Sequence, residues 1–242
     1  MALQCDSNQG VCTLDSPTND FPKGHLDDHN RMIYIGDPMC SWCWGLSPIL
    51  KQLQEYCQKN NISFSPILGG LRPGGGDPWT EGFKSFLKHE WERIEIITGQ
   101  KFVFDLLSKE FFNYDTEPAC RAVAVARKLL IENEIKQHTL LHFFSSIQEK
   151  FYTLGQDPTD IQFYHEICAK FEINFEEFCH HYNDVNTKNE LLQEFQMARH
   201  IMVRGMPFVG LSHQGILHHI ALNHESFDVI QASIKTILNK ES

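Results

Sequence analysis

Strand signals occupy only the two ends of this chain, and that arrangement restricts the fold more than any other feature. Near one end, Met32 to Asp37 ("MIYIGD") reads as a short buried strand, and Ile62 to Gly70 ("ISFSPILGG") as a second. Between them the stretch from Ser41 to Lys59 carries Leu46, Ile49, Leu50, Leu53 and Tyr56 at three- and four-residue spacing, the period of a helix with one apolar face. Near the other end, Pro207 to Leu211 and Gly215 to Ile220 read as a hairpin around the short turn Ser212-His213-Gln214. A last helix over 223–239 carries Phe227, Ile230, Ile234 and Ile237. From the loop "RPGGGDP" at 72–78 up to residue 202, strand signals vanish. Helices are expected over 79–98, 103–112, 117–132, 135–151, 158–171, 174–182 and 187–202. The order is βαβ, a helical block, then ββα.

This divides the chain into a polar, aperiodic tail (1–30), a discontinuous α/β domain (31–71 and 203–242) and an all-helical insertion (72–202). The tail is expected to be poorly ordered. It holds Cys5 and Cys12, seven apart, which read most simply as incidental thiols, with a second redox pair or a metal clip as the alternative.

The net charge is -10 and no Lys/Arg cluster forms a phosphate-binding stripe, which argues against nucleic acid as a partner. No apolar run reaches the length of a membrane span. The start of the chain has neither a basic n-region nor an apolar h-region, so no secretory signal is expected. Eight cysteines in 242 residues then read as reduced cytoplasmic thiols rather than a disulfide scaffold.

Cys40 and Cys43 stand two residues apart in "GDPMCSWCWGLSP", directly after the first strand. A zinc site needs about four ligands. No second CxxC follows, and Cys168, Cys179, His180 and His181 lie on helical stretches without zinc-ribbon spacing; no metal is expected. His218 and His219 fall on opposite faces of a strand and cannot share one ion. A structural pair and a redox dithiol remain. The redox reading is favoured by position: a CxxC opening a helix puts its first sulfur among unpaired N–H groups that stabilise a thiolate, and the second one turn away.

"CSWCWGLSP" resembles the active-site segment of the thioredoxin superfamily, in which a proline commonly follows eight residues after the first cysteine, as Pro48 follows Cys40. "RGMPFVGL" is similar to that family's cis-proline segment, with Met206–Pro207 opening the strand that enters the final ββα unit. The helical block between βαβ and ββα resembles the DsbA-like branch, and "DPMCSWCWG" its cytoplasmic members related to FrnE.

The resemblance implies a thioredoxin-like fold with a helical insertion and a thiol–disulfide oxidoreductase. By the same resemblance Cys40 is an exposed nucleophile of lowered pKa and Cys43 the buried resolving thiol. Ser41, Trp42, Met206 and Pro207 contact the substrate, Met206 through its backbone and Pro207 by a cis bond. Trp42 and Trp44 are either a greasy rim or ordinary packing. Ser41-Trp42 lacks the histidine of the periplasmic oxidants, which weakens the expectation of strong oxidising power.

The dithiol itself is the expected redox group. Partners are protein or small-molecule thiols and disulfides, with glutathione a candidate co-substrate. The rival readings are a glutathione-dependent isomerase or transferase of the same branch, and a silent peptide-binding module.

The remaining motifs read as structural. Asp37 and Asp77 suit turn or cap roles better than acid–base work. The Gly74–Gly76 run lacks a phosphate loop's lysine. Cys57, Cys120, Cys168 and Cys179 fall on helices, and Glu117 and Arg121 are spaced to pair on one.

Overall fold

A computed structural model describes residues 4–6, 11–13, 29–132, 139–201, 205–220 and 226–239. Its main sheet has four strands: β3 (Arg31–Gly36), β4 (Ser63–Leu68), β5 (Phe208–His213) and β6 (Ile216–His219), in the order β4-β3-β5-β6. β3 runs parallel to β4 and antiparallel to β5, and β5 pairs antiparallel with β6. The two ends of the chain therefore meet in one sheet, with β3 in its interior and Met32, Tyr34 and Ile35 wholly buried. A run without polar alternation suits a strand covered on both faces. The β5–β6 turn falls at Gln214-Gly215, both with positive φ, one to two residues later than the sequence reading centred it.

The expected helix over 41–59 is two helices, α1 (Ser41–Gly45) and α2 (Ser47–Lys59), broken at Leu46. Pro48 causes the break, since it has no N–H to give the carbonyl of Trp44 four residues back. Gln100 takes that place: its Nε2 donates to Trp44 O at 3.2 Å and to Ser47 Oγ at 2.8 Å. α9 (Phe227–Leu238) packs beside α2, with Phe227 edge-on to Tyr56; residues 223–225 of the expected helix lie outside the described residues.

Between β4 and β5 the described residues hold helices and no strand: α3 (Glu81–Thr98), α4 (Glu117–Glu132), α5 (Thr139–Leu154), α6 (His165–Lys170), α7 (Phe175–Asn183) and α8 (Val185–Ile201). Caps follow sequence chemistry: Thr80 accepts from the Phe83 N–H, Asn174 from the Glu177 N–H, and α3 stops at left-handed Gly99. The expected helix over 103–112 is only a 3₁₀ turn, Asp105–Ser108. Its backbone is claimed from elsewhere: the Val103 N–H donates to Tyr152 O, and Trp79 Nε1 to Lys109 O. The stretch 158–171 likewise divides into a 3₁₀ turn, Ile161–Tyr164, and α6. α8 covers the outer strand: Glu194 Oε1 accepts the Leu68 N–H at 2.9 Å, and Arg127 bridges Glu194 and Pro66 O. These side chains occupy an edge that is otherwise open to pairing.

The tail departs from expectation. Gln4–Asp6 (β1) and Val11–Thr13 (β2) form a two-stranded antiparallel sheet of their own. Three-residue strands are too short to show a periodicity in the sequence.

Candidate active site

Cys40 is the N-cap of α1, just beyond the C-terminal end of β3. The link between them is held by Asp37, which is completely buried. Its Oδ1 accepts the Met39 N–H at 2.8 Å, its Oδ2 the Leu71 N–H at 2.7 Å, and its carbonyl the Cys40 N–H at 3.0 Å. One side chain thus ties the approach to Cys40 to the segment leaving β4. Burial raises the Asp37 carboxyl above its ordinary range, and the N–H of Leu71 opposes that shift.

Met206 and Pro207 lie at the same end of the sheet. Ile35 pairs with Phe208, so one further step along the ladder sets Pro207 opposite Gly36. The Met206–Pro207 peptide bond is cis. The Met206 sulfur sits where a Cβ on Gly69 would be, so that glycine is needed for the close approach. Gly36 plays the same part for the Tyr34 phenol. That phenol is pushed upward first by burial and next by Cys43.

The helical insertion closes over the dithiol. Tyr114 donates to Met39 O at 2.9 Å, and its hydroxyl stands 3.4 Å from that of Tyr152. Burial raises both phenols, and both sit close enough to Cys40 to be raised further by charge there. Trp44 stacks on Tyr152, with ring centroids 6.2 Å apart, and its Nε1 donates to Lys101 O.

Two expectations are corrected here, and one open alternative is decided. Cys40 is not exposed: it and Cys43 are both at 0% accessibility. The Cys40 thiol is raised, not lowered. Desolvation is the main cause and Cys43 adds to it, while the Cys43 backbone N–H pulls in the other direction without prevailing. A helix N-terminus stabilises a thiolate only if the sulfur is not stripped of water as well. Nor is there a tryptophan rim, since Trp42 is fully buried and Trp44 nearly so. Of the expected contact residues, Ser41 alone is partly exposed; Met206 and Pro207 are buried.

The other motifs are structural, Asp77 through an ion pair in place of the expected turn or cap role. Asp77 pairs with Arg72, and Glu117 with Arg121. Cys57, Cys120 and Cys168 are buried free thiols, and burial pushes Cys57 and Cys168 to about 12. No group of three or more potential metal ligands occurs among the described residues. None of their helices is long and apolar enough to cross a membrane. A cavity of about 590 Å³ lined by Arg31, Phe64, Ile67, Arg127 and Glu194 opens along the outer strand β4 beneath α4 and α8, and no dithiol residue lines it.

Asp37, Tyr34, Tyr114, Tyr152 and Gln100 complete the site. Asp37 carried a legible signal, a turn-former between strand and CxxC. Tyr114, Tyr152 and Gln100 carried none, because packing over long sequence separation brings them here; Tyr34 lies only six residues before Cys40 but reads as an ordinary buried strand residue.

Comparison with known proteins agrees with this fold. Residues 35–234 match the family described as DSBA-like thioredoxin domain. A candidate protein disulfide isomerase from Nitrosomonas europaea superposes with a TM-score of 0.73 at 26% identity, over 88% of this chain and all of that one. The cytosolic disulfide reductase DsbM from Pseudomonas aeruginosa superposes with a TM-score of 0.70 at 24% identity, over 86% of this chain and 98% of its own, and is also known with GSH. The ClpXP adapter protein SpxH of Halalkalibacterium halodurans is 39% identical over 61 residues, 25% of this chain and only 20% of that relative's length.

Proposed function

This chain belongs to the DSBA-like thioredoxin domain family, and from that premise we propose that it is a cytoplasmic thiol–disulfide oxidoreductase working through Cys40 and Cys43. The observation that carries the reading is a juxtaposition. A CxxC and a cis X-Pro bond, far apart in sequence, lie at one end of one sheet. Around them, Asp37, Tyr34 and Tyr114 hold the approach to the dithiol.

The chemistry starts when the cover moves. Opening rehydrates Cys40 and removes the desolvation that keeps it protonated, leaving the pull of the Cys43 N–H. Its thiolate attacks a substrate disulfide, a mixed disulfide forms and one substrate thiol leaves. Cys43 then attacks Cys40, releases the second thiol and closes the Cys40–Cys43 bond. The backbone of Met206 is the candidate edge for an extended substrate. The cytosolic glutathione-bound relative supports a thiol of glutathione type as the returning reductant.

Cys43→Ser tests this. It leaves the attack and removes the release, so mixed disulfides should accumulate on Cys40, read by non-reducing electrophoresis and mass spectrometry. Cys40→Ser should trap none. A Cys43→Ser protein that traps nothing and keeps full activity refutes the dithiol mechanism and favours the isomerase.

A further inference from the structure

By sequence Cys5 and Cys12 read most simply as incidental thiols, with a second redox pair or a metal clip as the alternative. The backbone makes them a pair: in the β1–β2 register Gln4 faces Thr13, Asp6 faces Val11, and Cys5 stands directly opposite Cys12. Directly opposed residues of an antiparallel pair have Cα atoms about 4.5 or 5.5 Å apart. A disulfide needs about 4.4–6.8 Å. Both kinds of opposed position fall inside that window. A two-stranded hairpin of three-residue strands is marginal without a further restraint, and a bond across its middle pair supplies one.

We propose that Cys5 and Cys12 are a second redox pair, closing as a hairpin disulfide by exchange with the Cys40/Cys43 couple. The exchange step rests on the function proposed above; the pairing of Cys5 with Cys12 does not. A Cys12 thiolate attacks Cys40 of the oxidised couple, forming Cys12–Cys40 as Cys40–Cys43 breaks and Cys43 leaves as a thiolate. Cys5 then attacks Cys12, closing Cys5–Cys12 and releasing Cys40 as a thiolate; the two released thiolates take the protons that Cys5 and Cys12 gave up. Two electrons move from the hairpin to the CxxC, and no outside oxidant is consumed in the transfer.

The connection is long enough. From Thr13 to Arg31 there are 18 residue steps, a contour of about 60 Å when extended. β3, whose far end carries the dithiol, is six residues and about 20 Å long. The hairpin can therefore act as the first substrate, handing oxidising equivalents onward or storing them.

The test uses the full chain, reduced and then shifted into glutathione/glutathione-disulfide buffer, acid-quenched, alkylated and mapped by mass spectrometry over time. The expected result is a Cys5–Cys12 linked peptide beside a Cys40–Cys43 one. In Cys40→Ser/Cys43→Ser the Cys5–Cys12 link should form at least about tenfold more slowly, since only bulk glutathione then drives it. Cys5→Ser/Cys43→Ser should trap a Cys12–Cys40 link, an arm that does not depend on folding without Cys40. Cys5 and Cys12 found only as separate glutathione adducts, beside a normal Cys40–Cys43 link, overturn the pair and leave the proposed function standing. A Cys5–Cys12 link that forms equally fast without Cys40 and Cys43, with no Cys12–Cys40 species trapped, overturns the exchange. A Cys40–Cys43 couple that never links removes the dithiol function and the exchange together.

Discussion

The sheet half and the helical insertion contribute different things to one site. The sheet half supplies the reactive atoms and the backbone around them: Cys40, Cys43, Asp37, Met206 and Pro207 all sit at strand ends or in the first turn beyond. The insertion supplies surroundings: Tyr114 on the Met39 carbonyl, Tyr152 under Trp44, Gln100 on the carbonyl freed by Pro48. Reactive groups need fixed geometry, which a ladder of strand pairs provides. Control over water needs bulk, and the helices bring it. The same CxxC under a thinner cover would have a Cys40 of very different acidity, because desolvation is the main cause of its shift.

Removing cover from the helical side should have the largest effect. Tyr152 is fully buried, stacked on Trp44 and edge-on to Trp91. Tyr152→Ala should cost about 3–5 kcal/mol in denaturant unfolding, as other buried aromatic truncations do. It should also speed Cys40 alkylation in the native state by letting water reach the sulfur. Unchanged Cys40 reactivity would mean that the insertion is not the cover.

Breaking the sheet side is expected to come next. Asp37→Ala orphans the buried N–H groups of Met39 and Leu71, at about 1–3 kcal/mol each. The two sum to about 2–6 kcal/mol, and relief of the desolvation borne by the buried Asp37 carboxyl keeps the net loss toward the lower end, which should appear as a lower denaturant midpoint. A loss below about 1 kcal/mol would show that water replaces the carboxylate and that Asp37 does not hold the approach to Cys40.

The smallest effect asks whether the halves unfold as one. Cys57 on α2 and Cys168 on α6, one thiol in each half, are both pushed to about 12 by burial. An unfolded thiol titrates near 8.5. Between those values the native state holds a proton that the unfolded chain has lost, so stability is full below about pH 8.5 and falls as pH rises. Each thiol adds about 1.4 kcal/mol per pH unit to that fall. Cys57→Ala and Cys168→Ala should each flatten the alkaline slope of unfolding free energy by that amount. If Cys168→Ala flattens it and Cys57→Ala does not, the two halves unfold separately.

What the sequence determined by itself is the local part. Strand and helix order follow from periodicity, and the placement of a CxxC at a strand end from nearest neighbours in the chain; the caps at Thr80, Asn174 and Gly99 and the break before Pro48 are local too, although periodicity alone reads 41–59 as one helix. What only the tertiary structure decided is everything that depends on distance across the fold. Residues 103–112 lost most of their helix because Tyr152 and Trp79 claimed their backbone groups. Cys5 and Cys12 came face to face by strand register, which the six mostly polar residues between them do not announce. Cys40 became a buried, upshifted thiol because residues more than seventy positions away folded over it. A helix N-terminus acts within one turn and can be read from spacing. The water around a sulfur is removed by whichever segments pack there, and no local pattern encodes which ones they are.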